Sequence, residues 1–211
     1  VGNTHSLASE TINIDTILPG DPTRVGDAGA GNQIYGIATA ISGDDYSYHT
    51  VNAAGVASEL TPAAEYDGAV TANGQTVNAH WAMFGPAVPD GTYLVIRNED
   101  AAGNEASTMY LRNTTGEVTV DLGRAGLQGF DFGTIDLSSA DATLTITEAQ
   151  VLALTGADKQ LTITGGDDDV VNLTGVTSVT NAPNGFKLYE LGTGGASVLI
   201  EDDIHVNTTG V

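Results

Sequence analysis

Along most of this chain apolar residues recur at every second position. The segments GTYLVIRN (91–98), STMYLRN (107–113), EVTVDL (117–122), ATLTIT (142–147), QLTITG (160–165), VVNLTG (170–175), FKLYEL (186–191) and ASVLIEDDIHV (196–206) share this habit. Each is short, rich in Thr, Val, Ile and Leu, and bounded by Gly, Asn or Asp, which is the pattern of half-buried β-strands. Spaced roughly ten residues apart, such runs read as antiparallel β-sandwiches. Alternation also fixes register, and it puts Leu144, Ile146, Leu161, Ile163, Val171 and Leu173 into one core. A hairpin across GTGG (192–195) closes the series.

One segment breaks the period. In TEAQVLALTG (147–156), Thr147 stands as N-cap with Gln150 three residues on, which is a capping box. Val151, Leu152 and Leu154 then give an apolar stripe, and Gly156 ends it, so one short helix is expected near 148–155.

An internal echo suggests how the strands are grouped. VGNTHSLASETINIDT (1–16) and AGNEASTMYLRNTT (102–115) both carry Gly-Asn, then Ser three residues after the Asn, then a strand. Gly2 and Gly103 lie 101 positions apart, about one immunoglobulin-sized domain. The expectation is an all-β chain of two tandem immunoglobulin-like β-sandwiches. Residues 1–16 would be a leading strand or linker from a preceding repeat, 17–116 the first sandwich and 117–211 the second. The opening VGNTHS reads as a slice of a longer polypeptide.

Charge narrows the partners. Of 211 residues, 27 are acidic and 6 are Lys or Arg, for a net −21. Residues 1–120 hold 14 acids and 3 bases (−11), and residues 121–211 hold 13 and 3 (−10). A polyanion of this density is expected neither to bind nucleic acid nor to settle on anionic lipid, since both require basic side chains to displace counterions. Its self-repulsion invites a divalent cation, and calcium suits carboxylates and carbonyls. Solubility alone, or a salty habitat, is the competing account of the acidity. With no Cys in the chain there is no disulfide framework and no thiol nucleophile. No apolar run approaches the ~18 residues of a membrane span, so membrane insertion is not expected.

The richest set of oxygen donors is NEDAAGNEAS (98–107), with Asn98, Glu99, Asp100, Asn104 and Glu105. Calcium takes six to eight oxygens at about 2.3–2.6 Å and accepts amides and carbonyls beside carboxylates. The bland alternative is a turn in which Gly and Asn tolerate positive φ. The turn GGDDD (165–169) offers Asp167 and Asp169 as further donors, again with a plain solvated turn as alternative. The four histidines are isolated, with no H-E-x-x-H spacing, so zinc chemistry has no support. No nucleophile elbow and no phosphate-cradling loop appears either, and the chain is not expected to be an enzyme. Aromatic and polar residues gather at DDYSYHT (44–50) and NAHWAMFGP (78–86). Tyr46, Tyr48, His80 and Trp81 could therefore contact a glycan or peptide, or Trp81 and Phe84 could simply fill a sandwich core. Tyr93 reads as a corner tyrosine tied to backbone.

These residues carry a resemblance. DGTYLVIRNEDAAGNEAS (90–107) resembles the end of bacterial immunoglobulin-like repeats in giant secreted adhesins. IDLSSADATLTITEAQVLALTGADKQLTITGGDDDVVNLTG, followed by YELGTGGASVLIEDDIHV, is similar to a module of RTX adhesins, biofilm-associated proteins exported by type I secretion. The resemblance implies an extracellular, calcium-stiffened segment on a bacterial cell surface. Its partners would be the neighbouring domains of the same polypeptide, and it would be a monomer in isolation. It further implies a calcium ion at a domain junction, held by the loop acid Asp100 and the linker acid Asp15. The second linker departs from the pattern, with Asn113 where an acid is expected, and would recruit Glu117 or Asp121 instead.

Overall fold

The computed structural model describes residues 19–40, 45–72 and 75–210. Asp15 and the rest of the 1–16 echo lie outside these. The described residues are strand-rich and include one short α-helix, so the all-β expectation holds.

Seven strands precede the acidic loop: β1 (Arg24–Ala30), β2 (Gln33–Ala40), β3 (Asp45–Val51), β4 (Ala57–Glu59), β5 (Pro62–Ala72), β6 (Gln75–Pro89) and β7 (Tyr93–Glu99). After it come β8 (Glu105–Arg112), β9 (Val118–Val120), β10 (Phe132–Ser139), β11 (Ala142–Thr147), α1 (Glu148–Leu154), β12 (Gln160–Thr164) and β13 (Val170–Thr174). The chain finishes with β14 (Val176–Ala182), β15 (Phe186–Leu191), β16 (Ala196–Glu201) and β17 (His205–Thr209). They form three sheets. The first is β1-β2-β6-β5, the central one β14-β15-β16-β12-β10-β8-β7-β3-β4, and the third β17-β13-β11-β9.

The strand directions differ from the sequence expectation. From β8 onward the chain alternates between the central and the third sheet, and equivalent strands pair in parallel. β8–β9, β10–β11, β12–β13 and β16–β17 are thus four successive coils. Short corners join the sheets within a coil. The longer returns are a loop, α1 and the antiparallel β14–β15 hairpin. Met109, Ile135, Ile163 and Ile200 stand in register across four central strands, each at most 1% exposed. Val120, Leu144, Val171 and Val206 form the facing row. Local alternation signals a strand with one buried face, but it carries no information about strand direction. That is decided by the length of the return, and helical or looped crossovers permit parallel pairing.

All six residues expected in one core are in it, together with Val95, Met109 and Leu111 from β7 and β8. A second cluster, with Ile34, Ile37, Tyr48, Phe84, Leu94, Ile96 and Tyr110, lies between the first and central sheets. β7 and β8 therefore bury both faces. Tyr93 and Val95 point to one core, and Leu94 and Ile96 to the other. The sequence YLVI at 93–96 is continuously apolar for this reason. Hydrogen bonding has no break at the expected 116/117 boundary, because β8 pairs directly with β10.

The helix forms as expected. Gln150 N–H donates to Thr147 Oγ1 at 3.3 Å, and Thr147 N–H donates to Gln150 Oε1 at 3.0 Å. The GTGG hairpin forms too, with Leu191 opposite Ala196. Its glycines have a specific cause: the Glu148 carboxylate accepts from Gly194 N–H and lies where a Cβ on Gly192 would be.

Candidate functional site: a polar groove across the central sheet

Segment 19–24 crosses the face of the central sheet that carries Tyr110, and a groove runs between that segment and β8, β10, β12 and β16. Three connected clefts make it up. The first, of about 270 Å³, is lined by Pro22, Thr23, Arg24, Thr108, Thr134, Asp136, Ser138, Thr162 and Thr164. The second, of about 300 Å³, shares Thr162 and adds Asp21, Gly133, Asp158, Gln160 and Ser197. A third, of about 30 Å³, shares Asp21, Gly133 and Asp158 with the second and adds Pro19, Glu105, Ala106, Asp131 and Phe132.

Parallel register builds the hydroxyl end. Thr134 pairs with Thr108 on one side and Thr162 on the other, so three threonines stand in a row. Asp136 pairs with Tyr110 and Thr164 in the next row but one. Arg24 closes this end. Its Nε donates to Asp136 Oδ2 at 2.7 Å, its terminal nitrogen donates to Ser138 Oγ, and its guanidinium lies 4.6 Å from the centroid of the Tyr110 ring. Tyr110 in turn donates to Asp27 Oδ2 at 2.6 Å. A guanidinium held by a carboxylate, a hydroxyl and a ring face is fixed before any ligand arrives.

The other end is acidic. Thr134 Oγ1 donates to Asp21 Oδ2 at 2.8 Å, and Gly133 is required beneath because a Cβ there would overlap the Asp21 carboxylate. Burial raises the Asp21 carboxyl, partly offset by the Thr134 hydrogen bond and reinforced by Asp158. Asp131 is raised by burial and then by repulsion from Asp158, Asp21 and Glu105. These residues are far apart in sequence, and only the parallel stacking of coils brings them together. No local motif marks them.

The donors expected to hold calcium behave differently. Asp100 accepts Ala102 N–H at 2.8 Å, Asn104 N–H at 3.0 Å and the Asn104 side-chain amide at 2.8 Å. The Asn104 amide is the main cause of its lowered pKa, with backbone amides assisting. Glu99 and Glu105 face each other across β7 and β8 and are bridged by the Arg97 guanidinium, which lies 2.7 Å from Glu99. Without that bridge, like charges directly opposite would destabilise the pair. Asn98, 2% exposed, donates from Nδ2 to Gly20 O at 3.0 Å and so ties the stretch to segment 19–24. Among the described residues no three acidic or histidine side chains converge at metal-holding distances.

Asp121 lies elsewhere. Its Oδ1 accepts Gly123 N–H at 2.8 Å, and its own N–H donates to the Tyr93 hydroxyl at 2.7 Å, which makes Tyr93 the backbone-tied tyrosine expected. Asp167 is exposed at the 165–169 turn. Asp169 is fully buried there, accepting Ala142 N–H at 2.9 Å and Gly166 N–H at 2.8 Å. It staples one coil to the next. Asn113 accepts from Thr115 Oγ1 at 3.0 Å, and Glu117 accepts from Thr143 Oγ1 at 2.7 Å.

The aromatic candidates lie against opposite faces of the first sheet, with Tyr46 and Tyr48 reaching its inner face from β3 of the central sheet. Tyr48 is buried edge-on to Phe84 in the inner core. Tyr46 donates to Ala40 O at 2.7 Å and stacks on His80, whose ring nitrogens lie 3.1 Å from Asp67 and 3.3 Å from Glu65. Trp81 points the other way, stacked with Tyr66 at 6.5 Å between centroids and 17° between planes. Gly68 leaves room beside both rings, and Tyr66 is 50% exposed. Phe84 is core as expected, and Trp81 is not in the main core.

No protein-family model matches the chain, and neither a curated protein nor a solved structure matches it. No helix among the described residues is long and apolar enough to cross a membrane.

Proposed function

We propose that the chain is a structural segment of a calcium-stabilised bacterial cell-surface adhesin, connecting or projecting ligand-binding domains in biofilm formation and attachment. One observation carries the mechanical part of this reading. A nine-stranded sheet runs unbroken through both halves, with β7 and β8 buried against a core on each side. Bending between the halves would have to expose one of those cores, so the segment transmits load without a hinge. The calcium part rests on the net charge of −21 and on the resemblance of residues 90–107 and 135–206 to adhesin modules. Within this reading the ion belongs at the linker, where Asp15 would add its carboxylate to that of Asp100 in the 98–105 loop.

Chelation is the test. Saturating EDTA, followed by return of calcium, should lower and then restore the melting temperature, and should broaden the solution-scattering profile reversibly. Unchanged melting and scattering would remove calcium from the proposal. Unfolding under force in a single step would support the hinge-free segment, whereas two separate steps would defeat it.

A second reading is favoured by the Tyr66–Trp81 pair, in which Tyr66 is exposed and Trp81 is partly buried against Ala38, Val70 and Ala79. Two nearly parallel rings beside a glycine form a platform of the kind that stacks on a sugar face or a peptide side chain. Loss of glycan-array or peptide-panel binding in Trp81→Ala, with the melting temperature kept, would establish this adhesive role.

A further inference from the structure

We propose that the hydroxyl-lined cleft of the central sheet binds an uncharged pyranose unit of a glycan. The cleft is about 270 Å³, near the lower end of the ~300 Å³ at which small-molecule sites begin, so it accommodates one sugar ring and not a larger drug-like ligand. Its floor is a row of threonine hydroxyls, Thr108, Thr134 and Thr162, one from each of three parallel strands. Neighbouring strands lie ~4.8 Å apart, so the row offers hydrogen-bonding groups at a regular interval across a flat surface. Thr108, at the back, is 1% exposed, and its hydroxyl has no hydrogen-bond partner among the described residues. A ligand hydroxyl seated there would satisfy it.

The charged members select the ligand class. Asp136 is 7% exposed and already holds Arg24 and Ser138, so the pair presents a fixed donor and acceptor with no net charge. The adjoining cleft adds Asp21 and Asp158 with no basic side chain. An anionic ligand such as a uronic acid meets repulsion from that side. A neutral polyol meets hydroxyls, carboxylates and one guanidinium, each able to bond to sugar hydroxyls. This site lies on a different sheet from the Tyr66–Trp81 platform and does not depend on it.

Saturation-transfer NMR on the full chain with glucose, galactose, mannose and glucuronate tests the proposal. At least one neutral hexose should show transfer, glucuronate should show none, and the amides of Thr108, Thr134 and Thr162 should shift on titration. Thr162→Val combined with Thr164→Val keeps the side-chain shape and should weaken that binding roughly tenfold. Trp81→Ala should leave it unchanged. Absence of transfer from every neutral hexose would overturn the proposal. So would binding that survives the double valine variant, or that disappears in Trp81→Ala alone. If the double variant fails to fold, the threonine amide shifts in the unmodified chain decide, and shifts confined to the first sheet count against the cleft.

Discussion

The two ends of the molecule bury their apolar residues in opposite ways. In the coils from β8 to β17, each core position is backed by the same position of the next coil, and Leu144, Ile146, Leu161, Ile163 and Val171 are all fully buried. Among the described residues, only the inner face of the first sheet is covered by another sheet. Tyr35, Tyr66 and Val77 are 40–50% exposed. Stacked coils supply the inner strands with partners on both sides and a roof, whereas the far face of the four-stranded sheet carries only the small cluster of Ala38, Val70 and Ala79 with Val25 and Trp81 packed on it. β7 and β8 belong to both arrangements, and stability passes between the ends through them.

The sharpest way to break this comparison is to cut the same kind of contact at each end. Leu144→Ala in the coil core should cost about 2–5 kcal/mol, and Tyr66→Ala on the open face about 0.5 kcal/mol or less. Urea denaturation followed by Trp81 fluorescence and far-UV dichroism measures both. Because β7 and β8 couple the cores, Leu144→Ala should shift both probes together. If fluorescence from the first sheet kept its midpoint while dichroism moved, the shared wall would not be coupling the two ends.

A second difference is electrostatic. Burial pushes the Asp169 carboxyl up to about 6, against backbone hydrogen bonds from Gly166 and Ala142 that favour the anion, and Asp168 and Asp141 add repulsion. The folded value lies above the ordinary ~3.9 of an unfolded chain. Its contribution is therefore fully present below pH ~3.9 and is lost as pH rises through about 6, amounting to roughly 2–3 kcal/mol at most. Asp21 and Asp131 are shifted in the same direction. The chain should thus be more stable at pH 5 than at pH 7, and Asp169→Asn should flatten part of that slope. Equal slopes for the two proteins would place the pH dependence elsewhere among the acids.

Next in size is the bond that ties the corner after β9 to β7. Tyr93 is fully buried, accepts Asp121 N–H, and has the Arg124 guanidinium 3.8 Å from its ring centroid. Tyr93→Phe keeps the ring but orphans that N–H, for an expected loss of about 1–3 kcal/mol. Asp121 contributes its backbone, so Asp121→Asn should change stability far less. A larger loss from Asp121→Asn would show that the carboxylate matters, as it would if it held calcium.

These cases also separate what the chain spells out locally from what it does not. Alternation in ATLTIT and QLTITG identifies the strands and the side facing the core, and Thr147 with Gln150 announces the helix. Tyr93 is recognisable by its place in GTYLVIR. Parallel pairing is invisible in the same letters, because a strand with one buried face reads alike in either direction. The groove follows from that blind spot. Arg24 meets Asp136 and Asp21 meets Thr134 only because segment 19–24 lies across β10. In the acidic stretch 98–107, oxygen donors close in sequence pair with one another through Asp100, Asn104 and Arg97, a set of contacts that the letters alone do not announce.

A smaller effect than that of Tyr93→Phe concerns the return from the third sheet to the central one. α1 replaces what is a loop in the preceding coil, and it has only seven residues. A helix this short is marginal in isolation, so its cap and its buried side chains Val151 and Leu154 must hold it. Thr147→Ala removes the acceptor for Gln150 N–H and should cost about 0.5–2 kcal/mol. Glu148, the first residue of α1, also holds the GTGG turn through Gly194 N–H. Fraying of the cap should therefore be felt in the β15–β16 hairpin, as faster amide exchange at Gly194 than in the unmodified chain. If Thr147→Ala lowered stability while Gly194 exchange stayed the same, the helix and the hairpin would be independent supports of the stack. Matched changes would make the first turn of α1 the point that fixes two successive coils at once.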